Sequence, residues 1–226
     1  MSWFEKILGI EMTLDNLENV LEMQLNDLHS AETQLISALP KMAQAAKSAA
    51  LASAFRSHLA ETRQHKSRLE KAFRLLGKRM SGEKCDAMAG LISEGQEVID
   101  MKGDSGVKDA ALIAAAQRVE HYEIAGYGCA RTFARRLQKD GVAKLLNQTL
   151  AEEAKADRKL TQIAERSVNR QAARANRHTR RQHAAVKEHG HAARRPARHR
   201  TRAAATNHRN RATAARSRRR AAKARA

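Results

Sequence analysis

An all-α chain is expected: a four-helix bundle made of two antiparallel hairpins, joined by a long crossover with an extra short helix, plus a disordered basic tail. Three observations lead there. Residues 13–166 are dominated by Ala, Leu, Glu, Lys and Gln, with sparse Gly and Pro, which is helix-forming composition. Their apolar residues recur every three or four positions over long runs, and no segment alternates as a strand would. The third observation is charge. The formal net charge is +19, yet 19 of the 43 Lys and Arg lie between Ser167 and Ala226, where Glu188 is the single acid, so the body is almost neutral. Those last 60 residues also contain no Leu, Ile or Phe. Such a segment cannot offset its ordering entropy and is expected to be disordered when free.

The elements follow in order. Residues 1–12 form an N-terminal extension ahead of the bundle domain, residues 13–166. A first long helix is expected from about Leu14 to Ala46, with Thr13 as N-cap and Pro40 kinking its last turns. A second runs from Ala49 to Leu76, opened by Ser48 and closed by Gly77. A short helix from Asp86 to Met101 stops near Gly103. The third long helix covers Val107 to Lys139, ending at Gly141, and the fourth covers Val142 to Arg166. The first two long helices are joined by a few residues, as are the last two, so each pair forms an antiparallel hairpin. About thirty residues separate the hairpins, enough to cross from one end of a bundle to the other. That is the ferritin-like connectivity, whereas an up-down-up-down bundle needs only short loops.

Several classes are excluded. No apolar run approaches the ~18 residues of a membrane span, so integral membrane association is not expected. The opening MSWFEKILGIEM has Glu5 before Lys6, only a short apolar patch and no small-residue cleavage site, unlike a secretory signal. Cys85 and Cys129 make neither a disulfide framework nor a CxxC site, and read as two thiols in a reducing cytoplasm.

The seams of the helices carry acids. In the first helix Leu14, Leu17, Leu21, Leu25, Leu28, Leu35, Leu39 and Met42 leave one vacancy, filled by Glu32. In the third, Glu120 and Glu123 interrupt a seam of Ile113, Ala116, Tyr127, Ala130, Ala134 and Leu137. In the fourth, Leu146, Leu150, Leu160 and Ala164 bracket Glu153 and Asp157. In the second, Leu51, Phe55, Leu69, Ala72 and Leu76 surround His58, Thr62 and His65, with Glu61 beside them. The levels agree: Glu32 and Glu61 each lie roughly 20–24 Å from the first hairpin turn at ~1.5 Å per residue. Glu123 and Glu153 flank the second turn comparably. An ionised carboxylate taken out of water costs several kcal/mol, and several at one level repel one another. Cations must neutralise them, and no Lys or Arg occupies those seam positions. Oxygen-rich sites with one or two His suit iron or manganese, and paired sites of this kind occur in bundle cores. The candidate ligands are Glu32, Glu61, His65, Glu120, Glu123, Glu153 and Asp157. Glu152, His29, His58 and His121 are neighbours able to substitute, and a lone Glu snorkelling to water is the alternative for any one position.

At these residues the chain resembles the YciE/YciF family of bacterial ferritin-like stress proteins. The segments LNDLHSAETQLISALPKMAQAA, HLAETRQHKSRLEKAF, KCDAMAGLISEG, AAQRVEHYEIAGYG and TLAEEAKADRKLTQIAE carry the resemblance, which covers about Leu17 to Val168. It implies a ferritin-like bundle with an added short helix, a homodimer, and kinship with rubrerythrin-type di-iron proteins. Ferritin-like proteins commonly supply Glu from helix one, Glu and His from helix two, Glu pairs from helix three, and Glu and His from helix four. Glu32, Glu61, His65, Glu120, Glu123 and Glu153 match that pattern in type and level. Two departures stand out: Glu61 and His65 are four residues apart instead of three, and Asp157 stands where a His is common. The resemblance implies two iron ions, with manganese the alternative, and fixes no particular reaction.

The tail segments RQAARANRHTRR, ARRPARHRTR and ARSRRRAAKARA lack aromatics and have the composition of linker-histone tails. Arg180, Arg181, Arg194, Arg195, Arg198, Arg200, Arg202, Arg218, Arg219 and Arg220 are the residues expected on phosphates of DNA or RNA. Binding should be non-specific, because no aromatic platform and no groove-reading motif is present. A solvated tail and an anionic membrane surface are the other readings, and His189 and His191 could hold a stray metal. The function expected is a cytoplasmic, nucleoid-associated di-metal protein that reacts with peroxide or oxygen. Its rivals are a structural nucleoid protein with a vestigial metal site and a manganese-catalase-like enzyme.

Overall fold

The computed structural model describes residues 14–175. They form an all-α fold of α1 (Leu17–Ala45), α2 (Ala49–Leu76), α3 (Asp86–Asp100), α4 (Ser105–Arg136) and α5 (Asp140–Ile163). A π-helical turn follows at Ala164–Val168, and helix continues over 169–175. No strand occurs among the described residues, and none of their helices is long and apolar enough to cross a membrane.

Local chemistry sets the helix ends. Asn16 caps α1, its side-chain oxygen accepting from the Asn19 N–H at 2.9 Å; Thr13 lies outside the described residues. Ser48 caps α2 through its hydroxyl oxygen, and Gly77 closes α2 at φ 64°, a left-handed conformation that glycine adopts without strain. Asp104 starts α4, two residues before the expected position, by accepting from the N–H groups of Gly106 and Val107. The α4–α5 turn differs from expectation. Gly141 does not end the helix; Gln138 takes the left-handed position at φ 58°, and Gly141 lies in the first turn of α5.

Helix α1 packs on α2 and α4, and α5 packs on α2 and α4, so the four long helices stand in the order α1, α2, α5, α4 around the bundle. Helix α3 lies over α1 and α4. Its start is tied down at Cys85, whose N–H donates to Ser30 Oγ at 2.8 Å and whose carbonyl accepts from Gln34 Nε2 at 3.0 Å. At the far end of the first hairpin, the buried carboxylate of Asp109 accepts from the Lys47 and Ser48 N–H groups at 2.8 and 2.7 Å. Thus a side chain of α4 satisfies the turn between α1 and α2.

The interior is two cores. One is built on Leu21, Leu25, Leu28, Leu69, Phe73 and Leu146. The other is built on Leu35, Leu39, Phe55, Met88, Leu112 and Leu160, and it includes Val168 of the π-helical turn. Helical structure therefore passes the expected boundary at residue 166, and the bundle buries Val168 although it stands in the compositionally basic segment. The layer between these cores is polar. At Gly126 of α4 a Cβ would lie 2.9 Å from Leu28 Cδ2 of α1, so the glycine lets that leucine pack against the α4 backbone.

Candidate metal centre

Each helix places its polar residues at the gap between the two cores. From α1 comes Glu32, between Leu28 and Leu35. From α2 come His58, Thr62 and His65, between Phe55 and Leu69. From α4 come Glu120 and Glu123, and from α5 Glu153. All seven are buried, and Glu32, Glu123, His65 and Glu153 are fully so. Two groups converge. His58, Glu120, Glu123 and Glu153 each offer a donor atom within 4.8 Å of the others, as do Glu32, His65 and Glu153, so Glu153 belongs to both.

Close approaches without hydrogen-bond geometry mark the cluster. His65 Nδ1 lies 2.7 Å from Glu153 Oε1 and 3.3 Å from Glu32 Oε1. His58 Nε2 lies 3.3 Å from Glu120 Oε1 and 3.6 Å from Glu153 Oε2. Yet among the described residues His65 Nδ1, both His58 nitrogens, both oxygens of Glu123 and of Glu153, Glu32 Oε2 and Glu120 Oε2 find no hydrogen-bond partner. A native interior leaves few buried polar atoms unsatisfied. Here they are concentrated at one level and directed toward one another, as donors around a cation are.

The periphery is satisfied instead. Tyr127 donates to Glu32 Oε1 at 2.6 Å from a fully buried position. His65 Nε2 meets Glu152 Oε2 at 2.9 Å, and Arg68 grips both oxygens of Glu152, at 2.6 and 3.0 Å. That chain from guanidinium to carboxylate to imidazole fixes the His65 ring and leaves Nδ1 facing the cluster, the arrangement that orients metal-ligating histidines.

The electrostatics follow from burial. Burial, then the neighbouring acids Glu32, Glu153 and Glu120, hold Glu123 well above the ordinary carboxyl range. Burial likewise raises Glu120 strongly and raises Glu32, despite the opposing pull of His58 and His65 respectively. For the histidines burial acts downward, but acids outweigh it. His58, beside Glu120, Glu61 and Glu153, is pushed up to about 9, and His65, beside Glu153 and Glu32, to about 10. Burial alone would raise Glu152; Arg68 and His65 outweigh it and hold the group low.

Of the expected ligands, Glu32, His65, Glu120, Glu123 and Glu153 are brought together. Glu61 is placed at the rim, one-third exposed, with Oε2 at 3.5 Å from His58 Nδ1, a contact that lowers its pKa. Asp157 is placed outside the cluster. Its Oδ1 accepts from Gln117 Nε2 at 2.9 Å and faces the exposed His121 at 3.5 Å. The reason is rotation: four residues advance a helix by slightly more than one turn, and this carries Asp157 from the Glu153 direction toward Gln117 and Thr161. His58, ranked only as a substitute, takes a full place because it faces inward one turn before Thr62. The sequence pattern does not mark Tyr127 or Arg68 as site residues: Tyr127 has the place of an ordinary core residue in the α4 seam, and the one signal is its hydroxyl at a carboxylate's level.

Two openings reach the cluster, and His58 and Glu120 line both. One is small, about 80 Å³, with Glu61, Lys155 and Lys159 at its sides among apolar side chains such as Phe55 and Leu160. The other is a pocket of about 420 Å³ between α1, α3 and α4.

The sequence profile of a domain of unknown function, DUF892, matches residues 16–173. Protein YciF of Escherichia coli K12 is 46% identical over 165 residues, covering 71% of this chain and 98% of YciF. The chain belongs to the YciE/YciF (DUF892) family of ferritin-like stress proteins. The crystal structure of the E. coli stress protein YciF superposes with a TM-score of 0.67 at 44% identity, covering 69% of this chain and 99% of that one. YcfI, a putative structural protein from Rhodopseudomonas palustris, superposes with a TM-score of 0.65 at 39% identity, covering 67% and 97%. The family's matched region ends at residue 173, close to the end of the described helix and only a few residues into the basic segment that begins at Ser167.

Proposed function

We propose that this family member is a di-metal stress protein of the cytoplasm, binding two iron ions (manganese the alternative) and reacting with peroxide or oxygen. The observation that carries the reading is the set of buried, unsatisfied donor atoms on four helices. Four carboxylates and two imidazoles form an oxygen-rich set with nitrogen donors, which fits iron or manganese better than zinc or copper. Glu32 and His65 with Glu153 would hold one ion, and His58, Glu120 and Glu123 with Glu153 the other. Bound ferrous ions supply the electrons that peroxide or oxygen accepts. The protein's own contribution is legible at each position. Arg68 and Glu152 orient His65, Tyr127 holds Glu32 through its donated hydroxyl, and the cores on either side exclude water. Glu61 at the small opening offers a carboxylate to an arriving cation.

The test is metal analysis after anaerobic Fe(II) loading of untagged protein. About two ions per chain are expected, and fewer than about 0.2 would sink the reading. Oxygen release from peroxide without added Fe(II) would point instead to catalase-like chemistry. A second reading, a structural protein whose layer carries no metal, draws on His58 and His65, whose imidazolium forms would neutralise part of the acidic layer. The same metal analysis separates the two.

The tether is the second part of the proposal. Arg180, Arg181, Arg194, Arg195, Arg198, Arg200, Arg202 and Arg218 to Arg220 lie outside the described residues. Their charge density supports non-specific binding to DNA or RNA by counterion release. Because Val168 is buried and helix runs to residue 175, a truncated chain should end after 175, not at 166. Loss of DNA affinity and of its steep salt dependence is expected; unchanged affinity refutes the tether. Sedimentation of the same two proteins tests the homodimer.

A further inference from the structure

The larger opening is the feature that metal binding leaves unexplained. Peroxide, oxygen and hydrated cations are small, and the opening of about 80 Å³ beside Glu61 already admits molecules of that size. The pocket of about 420 Å³ is walled by apolar side chains, among them Leu39 and Met42 of α1, Phe55 of α2, Ile92 and Ile99 of α3, and Val119 of α4. Its volume lies in the range of sites that enclose small organic molecules. Helix α3, the element added to the bundle, forms one wall, and Gly95 on that wall keeps the space open: a Cβ there would meet only Met42 Sδ, at 3.9 Å.

The inner end of the pocket is polar. His58 and Glu120 reach it from α2 and α4, both more than nine-tenths buried, and His58 Nδ1, His58 Nε2 and Glu120 Oε2 have no hydrogen-bond partner among the described residues. The pocket is mostly apolar, with Thr33, Gln34, Ser37, Lys41 and Gln96 also in its lining, and its inner end presents an unsatisfied imidazole and an unsatisfied carboxylate, a combination that favours one type of molecule. The body must be apolar, and the head must both donate and accept. A hydroxyl does both. A carboxylate head only accepts, so it brings no donor to the bare Glu120 Oε2.

We infer that this pocket binds an uncharged, medium-sized apolar organic molecule ending in an O–H group, its head against His58 and Glu120 and its body along α1, α3 and α4. The inference goes beyond the di-metal reading. Where that reading holds, it places the head of an organic molecule beside the metal layer, reached from the side of α1, α3 and α4 and not past Glu61.

The experiment titrates the metal-free full-length protein with 1-octanol by calorimetry and ligand-observed NMR, with octanoate as the anionic comparison. Saturable binding of one 1-octanol per chain is expected, with Kd below about 1 mM and octanoate at least about tenfold weaker. Gly95→Leu fills the pocket from α3 and should weaken 1-octanol by at least about tenfold while leaving the iron stoichiometry unchanged. Ala38→Leu reads the same effect from the α1 wall if Gly95→Leu does not fold. No saturable binding, equal binding of octanoate, or binding unaffected by both fillers overturns the inference. So does binding seen only after residues 1–12 are removed, which would make that apolar segment the occupant. Because octanol binding is read without metal and iron stoichiometry without octanol, the two proposals fail independently.

Discussion

Replacing Glu123 by Gln should move stability and metal binding in opposite directions. The side chain is fully buried, neither oxygen has a hydrogen-bond partner among the described residues, and its neighbours Glu32, Glu120 and Glu153 are acids. The amide keeps the shape and removes the ionisable group. In metal-free protein the folded-state pKa of Glu123 lies above the unfolded value. Its carboxyl therefore contributes stability that is fully present below about pH 4.5 and is lost as pH rises through the folded pKa. Gln does not titrate, so the variant escapes that loss. Removing an uncompensated buried charge of this kind is worth about 2 kcal/mol, and a domain of this size gains roughly 4–8 °C in Tm from it. Thermal unfolding followed by circular dichroism should show metal-free Glu123→Gln above wild type at pH 8, with the gap narrowing toward pH 5.5. With Fe(II) under anaerobic conditions the order should reverse. Wild type gains stability by mass action, whereas the variant, lacking one donor, gains less. A metal-free variant that melts lower than wild type at pH 8, together with an unchanged Fe(II)-induced shift, would refute the assignment of Glu123 as a group held for a cation.

Other perturbations test the supports. Tyr127→Phe removes the donor to Glu32 and leaves a buried carboxylate oxygen bare; a loss of about 1–3 kcal/mol is expected in denaturant unfolding of metal-free protein at pH 8. Asp109→Ala leaves the Lys47 and Ser48 N–H groups without their acceptor, lowering stability by about 2–3 kcal/mol, while Asp109→Asn, which keeps one acceptor, should lose less. Gln138→Gly relieves the left-handed residue of the α4–α5 turn and should raise the denaturation midpoint by about 0.5–1 kcal/mol equivalent; a fall would mean the Gln side chain holds the turn in some other way.

Where the chain's own chemistry is local, the sequence was a sufficient guide. Ser48 and Gly77 bound α2 at the expected residues because a cap and a left-handed glycine act within one turn. The level of the acids was legible too, since a polar residue in an otherwise apolar seam needs no tertiary information to be noticed. What was not legible depends on helix rotation and on partners distant in sequence. Glu61 and Asp157 have the right residue types at the right height, yet α2 turns Glu61 to the rim and α5 turns Asp157 toward Gln117. His58 looked like a neighbour until α4 and α5 brought Glu120 and Glu153 to its ring. The end of α4 was misplaced because Gly141 was the obvious stop, while the turn uses Gln138. The Arg68–Glu152–His65 chain links residues 84 and 87 positions apart and is visible only in three dimensions.

The two apolar cores share no side chain. Distant, independent sites have additive mutational effects, whereas contacting ones do not. The bundle therefore has two ends that can drift apart in sequence, each repacking Leu, Phe and Met without consulting the other. Between them lies a stratum where substitutions are coupled, because each acid or imidazole there touches the others and shares their charge. Divergence among relatives should accordingly be patchwork: free exchange of hydrophobic residues above and below, and concerted change or none across the middle.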